Sequence, residues 1–152
     1  MIYWFIGQPG SGKSTLADLL RRALNSALRP CVHLDGDILR AVTLNQDYSR
    51  EGRRRNIKCA QELAASLNAQ GLNVVASFVT PYRDLREEFK ARQPVTEIYL
   101  TCSAMRGREK FAALDFEPPT PEDLHLAIDT STTEPAQALA IILSAVLPDF
   151  QI

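Results

Sequence analysis

Short apolar runs alternate with segments of helical period from one end of the chain to the other. Ile2–Ile6, Cys31–Leu34, Asn73–Phe78, Glu97–Thr101 and Leu124–Ile128 read as strands. Lys13–Leu28, roughly Arg50–Gln70, Tyr82–Arg92 and Glu134–Leu147 read as helices. In the first of these Leu16, Leu19, Leu20, Ala23 and Leu24 line one side; in the second Ile57, Ala60, Ala64 and Leu67 form a stripe that Gly71 closes as a C-terminal cap would. Pro30 and Pro94 mark breaks before strands. Strands alternating with helices predict an α/β chain of three layers, a parallel and mostly five-stranded sheet covered on both faces.

The segment between the first strand and the first helix changes this from a fold class into a chemistry. Gly7–Thr15, GQPGSGKST, fits the phosphate-binding pattern GxxxxGK[ST]. Gly7, Gly10 and Gly12 let the backbone turn tightly around Ser11, so that its N–H groups converge on a β-phosphate. Lys13 reaches the β- and γ-phosphates, Ser14 offers its hydroxyl to Mg²⁺, and Thr15 leads into a helix whose positive end faces the same anion. A glycine-rich turn alone would not require strand, loop and helix in this order. A nucleoside triphosphate with Mg²⁺ is therefore the expected ligand.

Composition narrows the partners. At 152 residues the chain is expected to be one domain, 1–152, with a single core. Lys plus Arg is 17 against 18 Asp plus Glu, so no global attraction to nucleic acid or to an anionic membrane is expected. Cys31, Cys59 and Cys102 show no CxxC spacing and read as reduced, buried packing thiols. Ala136–Leu147, the most apolar later stretch, is too short to span a bilayer, and no basic leader precedes the first strand, so a soluble cytoplasmic protein is expected. Residues 103–123, with Pro118, Pro119 and Pro121 near the end and Arg106, Arg108, Glu109 and Lys110 before them, are the least regular part and lie where such folds carry a mobile lid.

In an open parallel sheet ligands bind beyond the carboxyl ends of the strands, so the polar residues just after each apolar run are the candidates for chemistry. The second run ends in Asp35–Gly36–Asp37. Asp37 is favoured as the base that activates an acceptor hydroxyl, and it is a candidate metal ligand with Ser14. Asp35 reads as a structural partner or one that holds the metal through water; turn and cap roles beside Gly36 explain one of the two carboxylates comfortably, not both. Arg40 would share a side with Asp37 on a short helix. Arg53 faces inward with Asn56, Ile57 and Ala60, which leaves Arg54 and Arg55 as solvated charge. Arg40 and Arg53 would clamp an anionic acceptor, the alternative being salt bridges within the fold. The backbone of Val79 and Thr80, stiffened by Pro81, could bond a base edge, with Arg83 reaching an anion. Tyr48 either stacks on a nucleobase or serves as a hydrophobic staple before its helix. His33 and His125, inside apolar strands, read as packed neutral rings.

Taken in order, GQPGSGKST, HLDGDILR, YSREGRRRNI and SFVTPYR resemble the adenylylsulfate kinase family, P-loop kinases that move the γ-phosphate of ATP onto the ribose 3′-hydroxyl of adenosine 5′-phosphosulfate to give PAPS. The resemblance spans residues 1 to about 90 and resumes weakly at Phe116–Pro119 and Leu126–Ser131. It implies a P-loop NTPase fold, Asp37 as base, Arg40, Arg53 and Asn56 at the phosphosulfate, Tyr48 in place of the family's Phe against the acceptor's adenine, and Val79 and Thr80 in the loop that ends PYR. A homodimer follows by analogy only. The chain departs from the family in its phosphate loop, where the family has GLSGAGKST, and in the lid, where Arg106–Phe111 stands in for a longer sequence. Arg106 or Arg108 is expected to close over the phosphates, Lys110 to replace the lid lysine, and Phe111 or Phe116 to supply the second aromatic face. The shortened lid keeps open a paralogous kinase of another nucleotide conjugate such as cytidine diphosphoramidate, and a nucleotide-binding sensor without turnover. A GTPase is disfavoured, since neither a DxxG switch nor an NKxD motif occurs. A polynucleotide kinase is disfavoured by the balanced charge.

Overall fold

The computed structural model describes residues 1–104 and 106–147. Met105 of the expected lid and residues 148–152 of the expected domain lie outside them. The elements run β1 (Ile2–Ile6), α1 (Lys13–Ser26), β2 (Cys31–Asp35), α2 (Gly36–Thr43), α3 (Arg50–Ala69), β3 (Asn73–Ser77), α4 (Arg83–Arg92), β4 (Val95–Thr101), β5 (Leu126–Asp129) and α5 (Pro135–Val146). All strand pairs are parallel, in the order β2-β3-β1-β4-β5.

β1 is the middle strand and is buried on both faces, which its unbroken apolar run requires. Side chains alternate along a strand, so Tyr3 and Phe5 join Leu16, Leu20, Leu24, Ile98 and Ile142 in a core shared with α1 and α5. Ile2, Trp4 and Ile6 join Ala60, Ala64, Val74, Phe78 and Phe89 in a second core shared with α3 and α4. The chain leaves β1 toward β2 and β3 on one side and later crosses to β4 and β5 on the other. The phosphate loop therefore opens at the switch point of the sheet, where a crevice forms between diverging connections.

Several boundaries differ from the sequence pattern for local reasons. α1 stops at Ser26, and Leu28 turns back with φ of 55°. β5 begins at Leu126 rather than Leu124: it pairs only with β4, Leu126 lies opposite Ile98, and Leu124 is 88% exposed. His125 thus precedes the strand, with Nδ1 2.6 Å from the Asp123 carbonyl. α2 forms although Ile38 and Val42 on it are exposed, because Asp35 caps it by accepting the N–H groups of Asp37 and Ile38. Gly71, with φ of 89°, ends α3. Of the cysteines only Cys31 is buried; Cys59 is exposed and Cys102 half-buried, so the packing role foreseen for all three holds for one. No helix among the described residues is long and apolar enough to cross a membrane.

Candidate active site

The phosphate loop is strained into shape by glycine. Gly7 has φ of 141°, and a Cβ there would lie 2.3 Å from the Leu100 carbonyl oxygen; Gly10 and Gly12 have φ of 82° and 85°. Lys13 opens α1 and is buried, its Nζ donating to the Gln8 carbonyl at 2.7 Å. Burial first, then the nearby Arg108 guanidinium, lowers the Lys13 ammonium to about 8, while Asp37 and Asp35 work in the opposite direction. A cation stripped of water and facing outward is a receptor for an anion.

Ser14 donates its hydroxyl to Asp35 Oδ2 at 2.6 Å, and Ser77, at the end of β3, donates to the same oxygen at 2.9 Å. His33 Nε2 lies 2.8 Å from Ser77 Oγ, and burial lowers the pKa of that ring, in keeping with a neutral packed histidine. Burial opposes the Asp35 charge, yet bonds from Ser14, Ser77 and the N–H groups of Asp37 and Ile38 hold its carboxyl below the usual range. The carboxylate bonded to Ser14 is thus Asp35, while Asp37 lines the same cavity. A hydroxyl beside an ionised carboxylate is a donor set of hard oxygens that fits Mg²⁺. No group of three or more His, Cys, Asp or Glu gathers among the described residues.

Asp37 stands in the first turn of α2, 64% exposed at its side chain, and accepts Arg108 Nη2 at 2.7 Å. It shares with Lys13 one cavity of about 310 Å³. Gly10, Gly12, Ser14, Thr15, Asp35, Arg40, Tyr48, Arg53, Asn56, Val79, Thr80 and Arg106 also line that cavity, so residues from six separate stretches of sequence converge. Gly7 and Ser11 lie off its wall, and Lys110 faces an adjoining outer hollow with Tyr48 and Phe111.

Within the cavity several side chains are already engaged. Arg40, 7% exposed, donates from Nη1 to the carbonyls of Asn45 and Asp47, with its guanidinium 4.2 Å from the Tyr48 ring centre. Arg53 donates to the carbonyls of Tyr48, Phe111 and Ala112. The clamp foreseen from these two arginines is therefore partly committed to backbone. Asn56 differs: it is 5% exposed and its Oδ1 has no partner, an orphaned acceptor on the wall that calls for a ligand donor. Thr80, at φ of 43°, accepts Trp4 Nε1 on its hydroxyl at 2.8 Å and Arg86 on its carbonyl at 3.1 Å. Each keeps capacity for one more bond, the hydroxyl as a donor and the carbonyl on its second lone pair. Arg83 is turned away, bound to Asp123 at 2.6 Å, and does not serve the cavity.

The paired lid candidates make different contacts. Arg108 meets Asp37, whereas Arg106 reaches the Thr130 carbonyl at 3.4 Å. Phe111 lies against Tyr48 with ring centres 5.2 Å apart, whereas Phe116 stacks on Tyr99 at 6.0 Å. Arg54 is not simply solvated charge: it pairs with Asp84 at 2.7 Å and is 23% exposed. Two contributors were not foreseen. Ser77 has a readable signal, a hydroxyl at the carboxyl end of an apolar run. Gln8 has none within its own segment, because its partner lies in the lid.

Residues 1–111 match the family model for adenylylsulphate kinase. The adenylyl-sulfate kinase of Chloroflexus aurantiacus is 33% identical over 149 residues, which cover 85% of this chain and 80% of that one. The hexameric APS kinase from Thiobacillus denitrificans superposes with a TM-score of 0.76 at 27% identity, over 93% of this chain and 27% of that one. The Mycobacterium tuberculosis APS kinase CysC, solved in complex with AMPPNP and APS, superposes with a TM-score of 0.78 at 22% identity, over 93% of this chain and 94% of that one, a likeness of fold.

Proposed function

The chain belongs to the adenylylsulphate kinase family, and from that premise we propose that it transfers the γ-phosphate of ATP to the ribose 3′-hydroxyl of adenosine 5′-phosphosulfate, giving PAPS and ADP. The observation that carries this is a single cavity walled by Lys13, the Ser14–Asp35 pair and the Asp37 carboxylate. The ATP tail lies along the loop from Gly7 through Ser11 to Thr15, with Lys13 on the β- and γ-phosphates. Asp37 accepts the proton of the acceptor hydroxyl as its oxygen bonds to the γ-phosphorus and the bond from that phosphorus to the β,γ-bridging oxygen breaks. Arg108 exchanges Asp37 for the transferring group, and Arg106 lies nearer the donor. When bound, Mg²⁺ would spread the charge of the β- and γ-phosphates, and Ser14 with the Asp35 and Asp37 carboxylates would be the residues to hold it.

On the acceptor side Asn56 Oδ1 takes a donor from the substrate, Arg53 and Arg40 direct their remaining N–H groups at the phosphosulfate, and Tyr48 stacks on the base. Lys110 approaches from the outer hollow, and the Val79–Thr80 backbone closes the far wall. Residues 1–152 form one kinase domain that works in the cytoplasm on a small nucleotide, without nucleic acid, and self-associates. Release of ADP, followed with adenylylsulfate and cytidine diphosphoramidate side by side, tests this. A preference for adenylylsulfate above about tenfold is the expected result, equivalent to about 1.4 kcal/mol in transition-state binding. The reverse preference would assign the chain to another conjugate, and ATP binding with no acceptor-dependent release would leave a sensor.

A further inference from the structure

Gln8 occupies a position of the phosphate loop that needs no particular side chain for phosphate binding, yet both ends of its amide are bonded. Nε2 donates to the Ala113 carbonyl at 2.8 Å, and the Ala113 N–H donates to Oε1 at 3.1 Å. This two-way pair joins the loop to a lid residue that is 2% exposed. Arg53 bonds the two preceding lid carbonyls, those of Phe111 and Ala112, each at 3.2 Å. Three successive lid carbonyls are thus held by side chains from elsewhere, immediately beside the ring that meets Tyr48. That ring sits 5.2 Å from Tyr48, while a base between two aromatic faces needs about 7 Å, twice the contact distance of about 3.5 Å. Phe111 must therefore swing outward by roughly 2 Å to admit a base, and the segment that swings has a fixed end at Ala113 and a releasable end at Arg108.

We propose that Gln8 is a positioning residue for the acceptor: its amide pair with Ala113 anchors the lid so that Phe111 and Tyr48 close as the two walls of the base slot. This rests on the kinase reading above. A leucine at position 8, as in the family pattern, would leave the buried Ala113 N–H and C=O without these partners. Backbone contacts to the ATP phosphates do not depend on the side chain, so the effect belongs to the acceptor.

The test compares Gln8→Leu and Gln8→Met with the unsubstituted protein, with thermal melting to establish that each variant folds. Hydrogen exchange at the Ala113 amide is read alongside steady-state kinetics with adenylylsulfate. In both variants Ala113 should exchange at least about tenfold faster and KM for adenylylsulfate should rise about tenfold, the order expected from losing a net hydrogen bond. KM for ATP should stay within about threefold, and kcat should fall less than KM rises. Unchanged exchange at Ala113, an unchanged acceptor KM, or an equal rise in KM for ATP would each overturn the proposal. Absence of adenylylsulfate turnover in the unsubstituted protein would overturn the adenylylsulfate reading and with it the acceptor role of Gln8. Exchange at Ala113 would in that case still report the anchor, which separates the two failures.

Discussion

Lys13 and Asp37 hold opposite charges in one cavity, and each is checked by a different measurement. The Lys13 ammonium loses its proton at about 8 in the free protein, whereas the phosphates of bound ATP favour the charged form. Binding above pH 8 must therefore take up a proton. Affinity for AMPPNP, measured calorimetrically from pH 7 to about 9.5, should fall as pH rises through 8, and Lys13→Met should remove most of that slope. Folding follows the opposite sign. Because the folded value is depressed from 10.5, the unfolded chain binds more protons between about 8 and 10.5, and Lys13 adds stability as pH rises through that window. Asp37 answers to turnover: Asp37→Ala should reduce acceptor-dependent ADP release by about 10² to 10⁴ while AMPPNP affinity changes less than about threefold. Loss of binding instead would show that the carboxylate holds Arg108 and the lid in place and is not a base.

Between residue and fold, short-range contacts set how the helices present these groups. Asp35 at once caps α2 and accepts Ser14 and Ser77, so one side chain couples the phosphate loop to the helix that carries Asp37. Asp35→Ala should lower stability by about 1 kcal/mol for the cap alone, read in urea, and should also weaken Mg²⁺-dependent ATP binding. Gly52 in the first turn of α3 is a second such point. A Cβ there would lie 2.2 Å from the Asp47 carbonyl oxygen, and the Asp47 side chain crowds the same place. Gly52→Ala would ordinarily favour a helix, yet here it should destabilise by about 1 to 3 kcal/mol and raise the acceptor KM, because the segment that must yield leads directly into Tyr48.

For the whole molecule, the cavity depends on a buried charge cluster at some distance from the chemistry. Arg86 and Glu97, with side chains 0% and 3% exposed, pair at 3.5 Å between α4 and β4. Arg86 also bonds the carbonyls of Thr80 and Glu117, so it fastens both the acceptor loop and the end of the lid to the sheet. Glu97→Ala strands the Arg86 charge and should cost about 3 to 5 kcal/mol in urea unfolding. An unchanged midpoint would show that water or Glu87 replaces the lost partner. The switch point at the carboxyl end of β1, which lies between β3 and β4 in the sheet, is where the phosphate loop meets these supports.

The central strand, the glycine loop and α1 are legible in the residues because each forms from neighbours in sequence: an apolar run, glycines where φ is positive, a helical stripe. The single core expected from the length is instead two, because residues alternating along β1 face opposite sides of a sheet covered on both faces. Choices between near-equivalent residues are not legible in this way. Arg106 and Arg108 are two positions apart, and Phe111 and Phe116 share one lid; local chemistry suits either member of each pair, and between Asp35 and Asp37 it favours a base without revealing which one meets Ser14. The partner that decides among them lies 21 residues away for Asp35, 71 for Asp37 and 105 for Gln8. Contacts at that range exist only once the sheet has brought the ends of its strands together, so it is the packed fold that decides which residues meet.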